Sequence, residues 1–335
     1  MLEHGGRLQH AASEFGVPLE QWLDLSTGLA PYPWPVPALP QSVWSRLPET
    51  GDGLSQQAQD YYGAPHALPV AGSQAAIQAL PTLRKPCRVG ILEPTYAEHR
   101  LAWERAGHQL VSVTTELLPA CLDQLDVLVV VNPNNPTGQL LNSELLLNWH
   151  QRLVSRGGWL VVDEAFMDPT PEYSLSAHSH APGLIVLRSL GKFFGLAGLR
   201  LGFVLAEEQL LAVLEERLGP WAVSGPARAV GRSVLADRLT QQLWRSRLHM
   251  DSQRLRRLLD AVGLASGAGC GLFQWRLLGQ QPAQQLYKDL ASRGVLVRVF
   301  NELGGLRFGL PRSEAQWQRL ESALRDSMKE LAWAV

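Results

Sequence analysis

The chain has 335 residues, of which 46% are hydrophobic, and a formal net charge of −1. That is enough apolar material for a large core divided between a larger and a smaller unit, and the near-neutral balance speaks against nucleic acid or an anionic membrane as a partner. Cys87, Cys121 and Cys270 are widely spaced and suggest neither a disulfide framework nor a zinc site, so reduced thiols and no metal are expected. The start, Met1-Leu2-Glu3-His4-Gly5-Gly6-Arg7, lacks the apolar stretch of a secretory signal, and no segment has transmembrane length. The expectation is a soluble, cytoplasmic protein.

In chain order, the proline cluster at 31–40 cannot be helical and reads as an extended connector, which makes residues 1–40 an amino-terminal arm plus connector. Strand and helix signals then alternate to about residue 206, predicting a large α/β domain over 41–225 with a mostly parallel sheet. Within it, the apolar runs at 126–131, 159–162 and 184–187 have the continuous character of strands buried on both faces. A helix is expected over 207–218, ended by Gly219-Pro220. A second helical region over 226–261 opens a smaller α+β domain, 226–335, with strands at 272–277, 295–299 and 306–308 and a last helix over 314–331.

Each of the three apolar runs ends in chemistry. The first leads into Asn132-Pro133-Asn134-Asn135-Pro136-Thr137-Gly138, the second into Asp163-Glu164-Ala165-Phe166, and the third into Ser189-Leu190-Gly191-Lys192. In an open parallel sheet, ligands bind beyond the carboxyl ends of the strands, so these endings are expected to converge. A lysine flanked by glycine and two phenylalanines is unlike the usual hydrated surface lysine; a desolvated amine attacks an aldehyde readily, and pyridoxal 5′-phosphate is the aldehyde cofactor held this way. An aspartate keeps a pyridine nitrogen protonated, and an asparagine amide can hydrogen-bond a phenolic oxygen.

On these motifs the chain resembles the pyridoxal-phosphate-dependent aminotransferases of fold type I, class I/II, and within them is most similar to the threonine-phosphate decarboxylases of the cobalamin pathway. The resemblance implies that Lys192 forms the Schiff base, Asp163 pairs with the pyridine nitrogen and Asn135 meets the phenolic oxygen and the substrate. It implies that Ser189, Arg200 and the backbone of Gly72-Ser73-Gln74 bind the cofactor phosphate, with Tyr96 stacked on the ring. Arg307 matches the arginine that grips a substrate α-carboxylate, and Arg298 one that holds a substrate phosphate. His4-Gly5-Gly6 resembles the amino-terminal arm that folds over the substrate phosphate in the decarboxylases. A homodimer with a small phosphorylated amino acid as substrate is also implied.

One fold of this kind serves several reactions, and the choice depends on which bond at Cα is held perpendicular to the cofactor ring. Phe166 stands where the aminotransferases commonly carry tyrosine, and Leu47 where they often have a tyrosine reaching the neighbouring subunit. With His4-Gly5-Gly6, these departures favour decarboxylation of L-threonine O-3-phosphate over the alternative, a histidinol-phosphate-type aminotransferase. A catalytically silent pyridoxal-phosphate-binding protein is the third reading, disfavoured because such proteins normally carry a fused DNA-binding domain.

Overall fold

Seven strands form the central sheet of the larger unit, in the spatial order Leu68–Val70, Gly202–Leu205, Leu184–Ser189, Trp159–Asp163, Val127–Val131, Arg88–Leu92, Gln109–Val113. The last five are mutually parallel; Gly202–Leu205 is antiparallel to both of its neighbours. The structure is a computed structural model and describes residues 4–264 and 267–332.

The valine-rich runs become strands because both of their faces are covered. Every residue of Val127–Val131 is buried, as is every residue of Leu184–Ser189. One face packs Val89, Ile91, Val127, Val129, Val161 and Ile185 with Ile77, Leu80, Trp103, Leu210, Leu211 and Leu214 from the surrounding helices and turns. Each such side chain contributes about 1.5–3 kcal/mol on burial, so the sheet is held far more firmly than the loops at its ends. The strand ends on which the candidate chemistry sits are therefore rigid.

The larger unit comprises Pro33–Asn135 and Gln139–Trp244; the smaller holds the residues up to Tyr32, Pro136–Gly138 and those from Arg245 onward. This division differs from the expected boundaries at 40 and 225 because packing overrides chain order. Near the amino terminus, Leu23–Asp24 pairs in parallel with Val295–Leu296. The helix Gly225–Ala236 packs on Leu54–Tyr62, and its Arg228 makes a two-pronged pair with Asp52, Nη2 at 2.6 Å and Nε at 2.9 Å.

Other expected elements are present with altered limits. The helical region at 226–261 is two helices, Gly225–Ala236 and Arg238–Ala261. The strand expected at 295–299 is split: Val295–Leu296 pairs with Leu23–Asp24, while Arg298–Phe300 turns to pair antiparallel with Gly305–Gly309 in a four-stranded sheet.

Candidate active site

Asp163 is the last residue of its strand, is 3% exposed, and has both carboxylate oxygens engaged. Oδ1 accepts from the Ala165 backbone N–H at 3.0 Å, and Oδ2 lies 2.9 Å from Nε2 of His99, itself buried. His99 gave no signal in the sequence, although it lies three residues after Tyr96, in the first turn of the helix Ala97–Arg105. Tyr96 precedes that helix, and its ring lies edge-on to His99 with centroids 6.3 Å apart.

Tyr96 connects the Asp163 end to the helix Ser73–Ala79, because its hydroxyl donates to Gln74 Oε1 at 3.4 Å. Burial pushes the Tyr96 phenol up to about 12, with the charges of Glu98 and Asp163 acting the same way and Arg200 opposing them. Asp163, Tyr96, Gln74 and Arg200 thus surround one small region. Gly72 caps the helix at φ 73°, without a side-chain cap, leaving the first amides to meet an anion. A Cβ at Gly72 would lie 2.8 Å from Nη2 at the movable end of Arg200, and it is the backbone, φ 73° with ψ 156°, that calls for glycine here.

Arg200 itself is held in the left-handed region, φ 51°, a conformation that costs a non-glycine residue about 1–3 kcal/mol and persists where neighbours enforce it. Ser189 ends its strand and is buried, with Oγ accepting from the Gly191 N–H at 3.3 Å. Lys192 follows in the turn after that strand, its Nζ 5.4 Å from the centroid of the buried Phe166 ring. Asn135 lies in the loop after Val127–Val131. That loop is pinned by Asn132, whose amide donates to Leu141 O at 3.2 Å and whose carbonyl accepts from Leu141 N at 2.8 Å.

The polar ends of neighbouring strands are fastened from below by Arg188, which is fully buried. Its Nη1 lies 2.6 Å from Glu164 Oε2 and its Nη2 2.8 Å from Asp168 Oδ1; Tyr61 also donates to Asp168 Oδ1 at 2.9 Å. Arg188 precedes Ser189 and Glu164 follows Asp163, so this pairing sets two site residues side by side. An arginine inside an otherwise apolar strand was its only signal in the sequence.

Arg298, Arg307, His4, Gly5 and Gly6 belong to the smaller unit. Arg298 and Arg307 are directly opposite in the antiparallel pair, which puts both on one face of the sheet. Phe300 lies against both guanidiniums, 5.2 Å from that of Arg298 and 5.8 Å from that of Arg307. Burial pulls the Arg307 cation down to about 10, and the charge of Arg298 acts in the same direction, an environment that favours an anion beside the pair.

The residues of the larger unit suit the cofactor that the resemblance implies. They offer a buried, doubly held carboxylate, a neutral aromatic ring, a lysine amine, and a glycine cradle beside an arginine for a phosphate. Among the described residues no group of three or more His, Cys, Asp or Glu could hold a metal ion, and no helix is long and apolar enough to cross a membrane.

The sequence profile of the family Aminotransferase class I and II matches residues 48–324. The chain belongs to that family. It is 56% identical to a threonine-phosphate decarboxylase of Pseudomonas aeruginosa, over 97% of each chain, and 41% identical to one from a Sinorhizobium species, over 96% of this chain and 97% of that one. Among solved structures it resembles the histidinol-phosphate aminotransferase of Sinorhizobium meliloti in complex with pyridoxal-5′-phosphate, with a TM-score of 0.84 at 19% identity, covering 98% of this chain and 96% of that one. The L-threonine-O-3-phosphate decarboxylase of Porphyromonas gingivalis matches with a TM-score of 0.74 at 19% identity, over 98% of each chain. At that identity both likenesses concern the fold.

Proposed function

We propose that this family member is a pyridoxal-phosphate-dependent carboxy-lyase that converts L-threonine O-3-phosphate to (R)-1-amino-2-propanol O-2-phosphate, for cobalamin biosynthesis. The observation that carries the reading is the full-length similarity to threonine-phosphate decarboxylases. Two arginines presented together on one sheet face support it, since the substrate bears two anionic groups.

Bound pyridoxal phosphate would supply an electron sink for the pair left on Cα when the carboxylate carbon departs as carbon dioxide. In this reading Asp163 holds the proton on the pyridine nitrogen, and His99 with the Ala165 amide holds Asp163 in place. Gly72-Ser73-Gln74, Ser189 and Arg200 would bind the cofactor phosphate, Tyr96 would face the ring, and Asn135 would donate to the phenolic oxygen. Lys192 would hold the cofactor between turnovers, and its amine, carrying the proton brought in on the substrate ammonium, would return that proton to Cα. Arg307 grips the carboxylate, while Arg298 and the His4-Gly5-Gly6 arm take the substrate phosphate. Phe166, with no hydroxyl, leaves the Lys192 amine beside an apolar ring instead of a phenol.

The partner in the assembly is a second copy of the chain. Trp44 and Leu47 are 62% and 64% exposed and Trp221 59%, and the helix Ser42–Ser45 carrying Trp44 packs on Gly225–Ala236, just after Trp221. Large apolar side chains so placed support a protein contact on this side of the larger unit. The three free thiols suit the reducing cytoplasm.

The deciding assay supplies threonine phosphate without any keto acid. Carbon dioxide should be released turnover after turnover, and unphosphorylated threonine should be poorer by about 2–5 kcal/mol, the loss for leaving a charged anchor unpaired. Glutamate formed from histidinol phosphate and 2-oxoglutarate, with no carbon dioxide from threonine phosphate, would establish the aminotransferase reading instead.

A further inference from the structure

Ser26 lies just past Leu23–Asp24, is 2% exposed, and joins three pieces of the smaller unit. Its hydroxyl donates to Asp24 Oδ1 at 2.6 Å and accepts from the Gly6 backbone N–H at 2.7 Å. Its own N–H donates to the same Asp24 oxygen at 2.9 Å, which fixes the turn. Its carbonyl accepts from Arg307 Nη2 at 2.9 Å.

The two glycines of the arm are what this arrangement requires. A Cβ on Gly5 would lie 2.4 Å from the Ser26 carbonyl oxygen, the atom that holds Arg307, and Gly6 has φ 79°. Donation to a carboxylate also strengthens the hydroxyl as an acceptor, so serine suits the Gly6 contact, where alanine would leave the amide without its acceptor.

We infer that Ser26 is a positioning residue that seats the His4-Gly5-Gly6 arm through its hydroxyl while its carbonyl steadies the Arg307 guanidinium. The anchor for the substrate carboxylate and the arm that takes the substrate phosphate are thereby built on one residue, and selectivity for a phosphorylated amino acid depends on its hydroxyl. This inference rests on the proposed substrate.

The test combines hydrogen exchange at the arm with kinetics of the holoenzyme. In Ser26→Ala, the Gly6 amide should exchange roughly five- to tenfold faster, the worth of about one hydrogen bond, and KM for threonine phosphate should rise by a similar factor with kcat changed less. KM for unphosphorylated threonine should stay where it is. Ser26→Thr, which keeps a hydroxyl, should restore slow exchange, and Gly5→Ala, whose Cβ would press on the Ser26 carbonyl, should also speed exchange at Gly6. Unchanged exchange in Ser26→Ala overturns the positioning role; faster exchange with unaltered KM overturns the link to phosphate selectivity. If wild-type enzyme does not distinguish the phosphorylated from the unphosphorylated amino acid, the substrate reading fails, while the exchange result still decides whether Ser26 seats the arm.

Discussion

Replacing Asp163 by asparagine separates charge from shape at the centre of the site. The side-chain oxygen can still accept from Ala165 N–H, and the amide can still face His99 Nε2 once the imidazole adopts the tautomer with an acceptor there. The fold should therefore change little. What is lost is the negative charge that, on the proposed assignment, would keep the pyridine nitrogen protonated, a preorganised electrostatic interaction worth about 2–4 kcal/mol, so carbon dioxide release should slow roughly thirty- to a thousandfold. Asp163→Ala should slow the reaction similarly, and by leaving the Ala165 amide buried without its acceptor should also lower stability by about 1–3 kcal/mol. His99→Gln, which leaves the charge but removes its imidazole support, should fall between wild type and Asp163→Asn. Single-turnover carbon dioxide release with saturating cofactor measures the first effect, and urea unfolding the second. Asp163→Asn enzyme within about threefold of wild type would refute the assignment of this carboxylate to the ring nitrogen.

Three further outcomes follow from the same geometry. Borohydride should fix a pyridoxyl group on Lys192, and Lys192→Ala should abolish that linkage; a peptide map that places it on Lys85, Lys288 or Lys329 would displace Lys192 from its role. Arg188→Met should cost about 3–5 kcal/mol in urea unfolding, because Glu164 and Asp168 would remain as buried carboxylates without their cation, and adding Glu164→Gln should recover part of the loss. Burial already raises the Glu164 carboxyl against the opposing pull of Arg188, so the single variant should be relatively worse off as pH rises and that carboxyl ionises. For Tyr96, whose phenol is raised from 10 to about 12 in the folded protein, the unfolded chain loses its proton first on raising the pH; its contribution to stability should be intact below pH 10 and lost between 10 and about 12, a step absent from Tyr96→Phe.

The strands and their polar endings were legible because burial on both faces requires unbroken apolar runs, and a polar residue that ends such a run marks the carboxyl end of the strand. Asp163, Ser189 and Lys192 follow from that rule alone, since each is defined by its own stretch of chain. The sequence by itself also pointed to the cofactor, because a lysine, an aspartate and an asparagine after three successive strands form the pattern on which the chain resembles its family. Only the tertiary structure decided what supports them. His99 lies 64 positions before Asp163, Arg188 lies 24 after Glu164, and Ser26 lies 281 before Arg307; contacts at such separations leave no periodicity to read. The unit boundary depended on the same thing. Leu23–Asp24 and Val295–Leu296 are too short to signal a pairing, and each becomes a strand only because the other supplies the backbone hydrogen bonds it lacks.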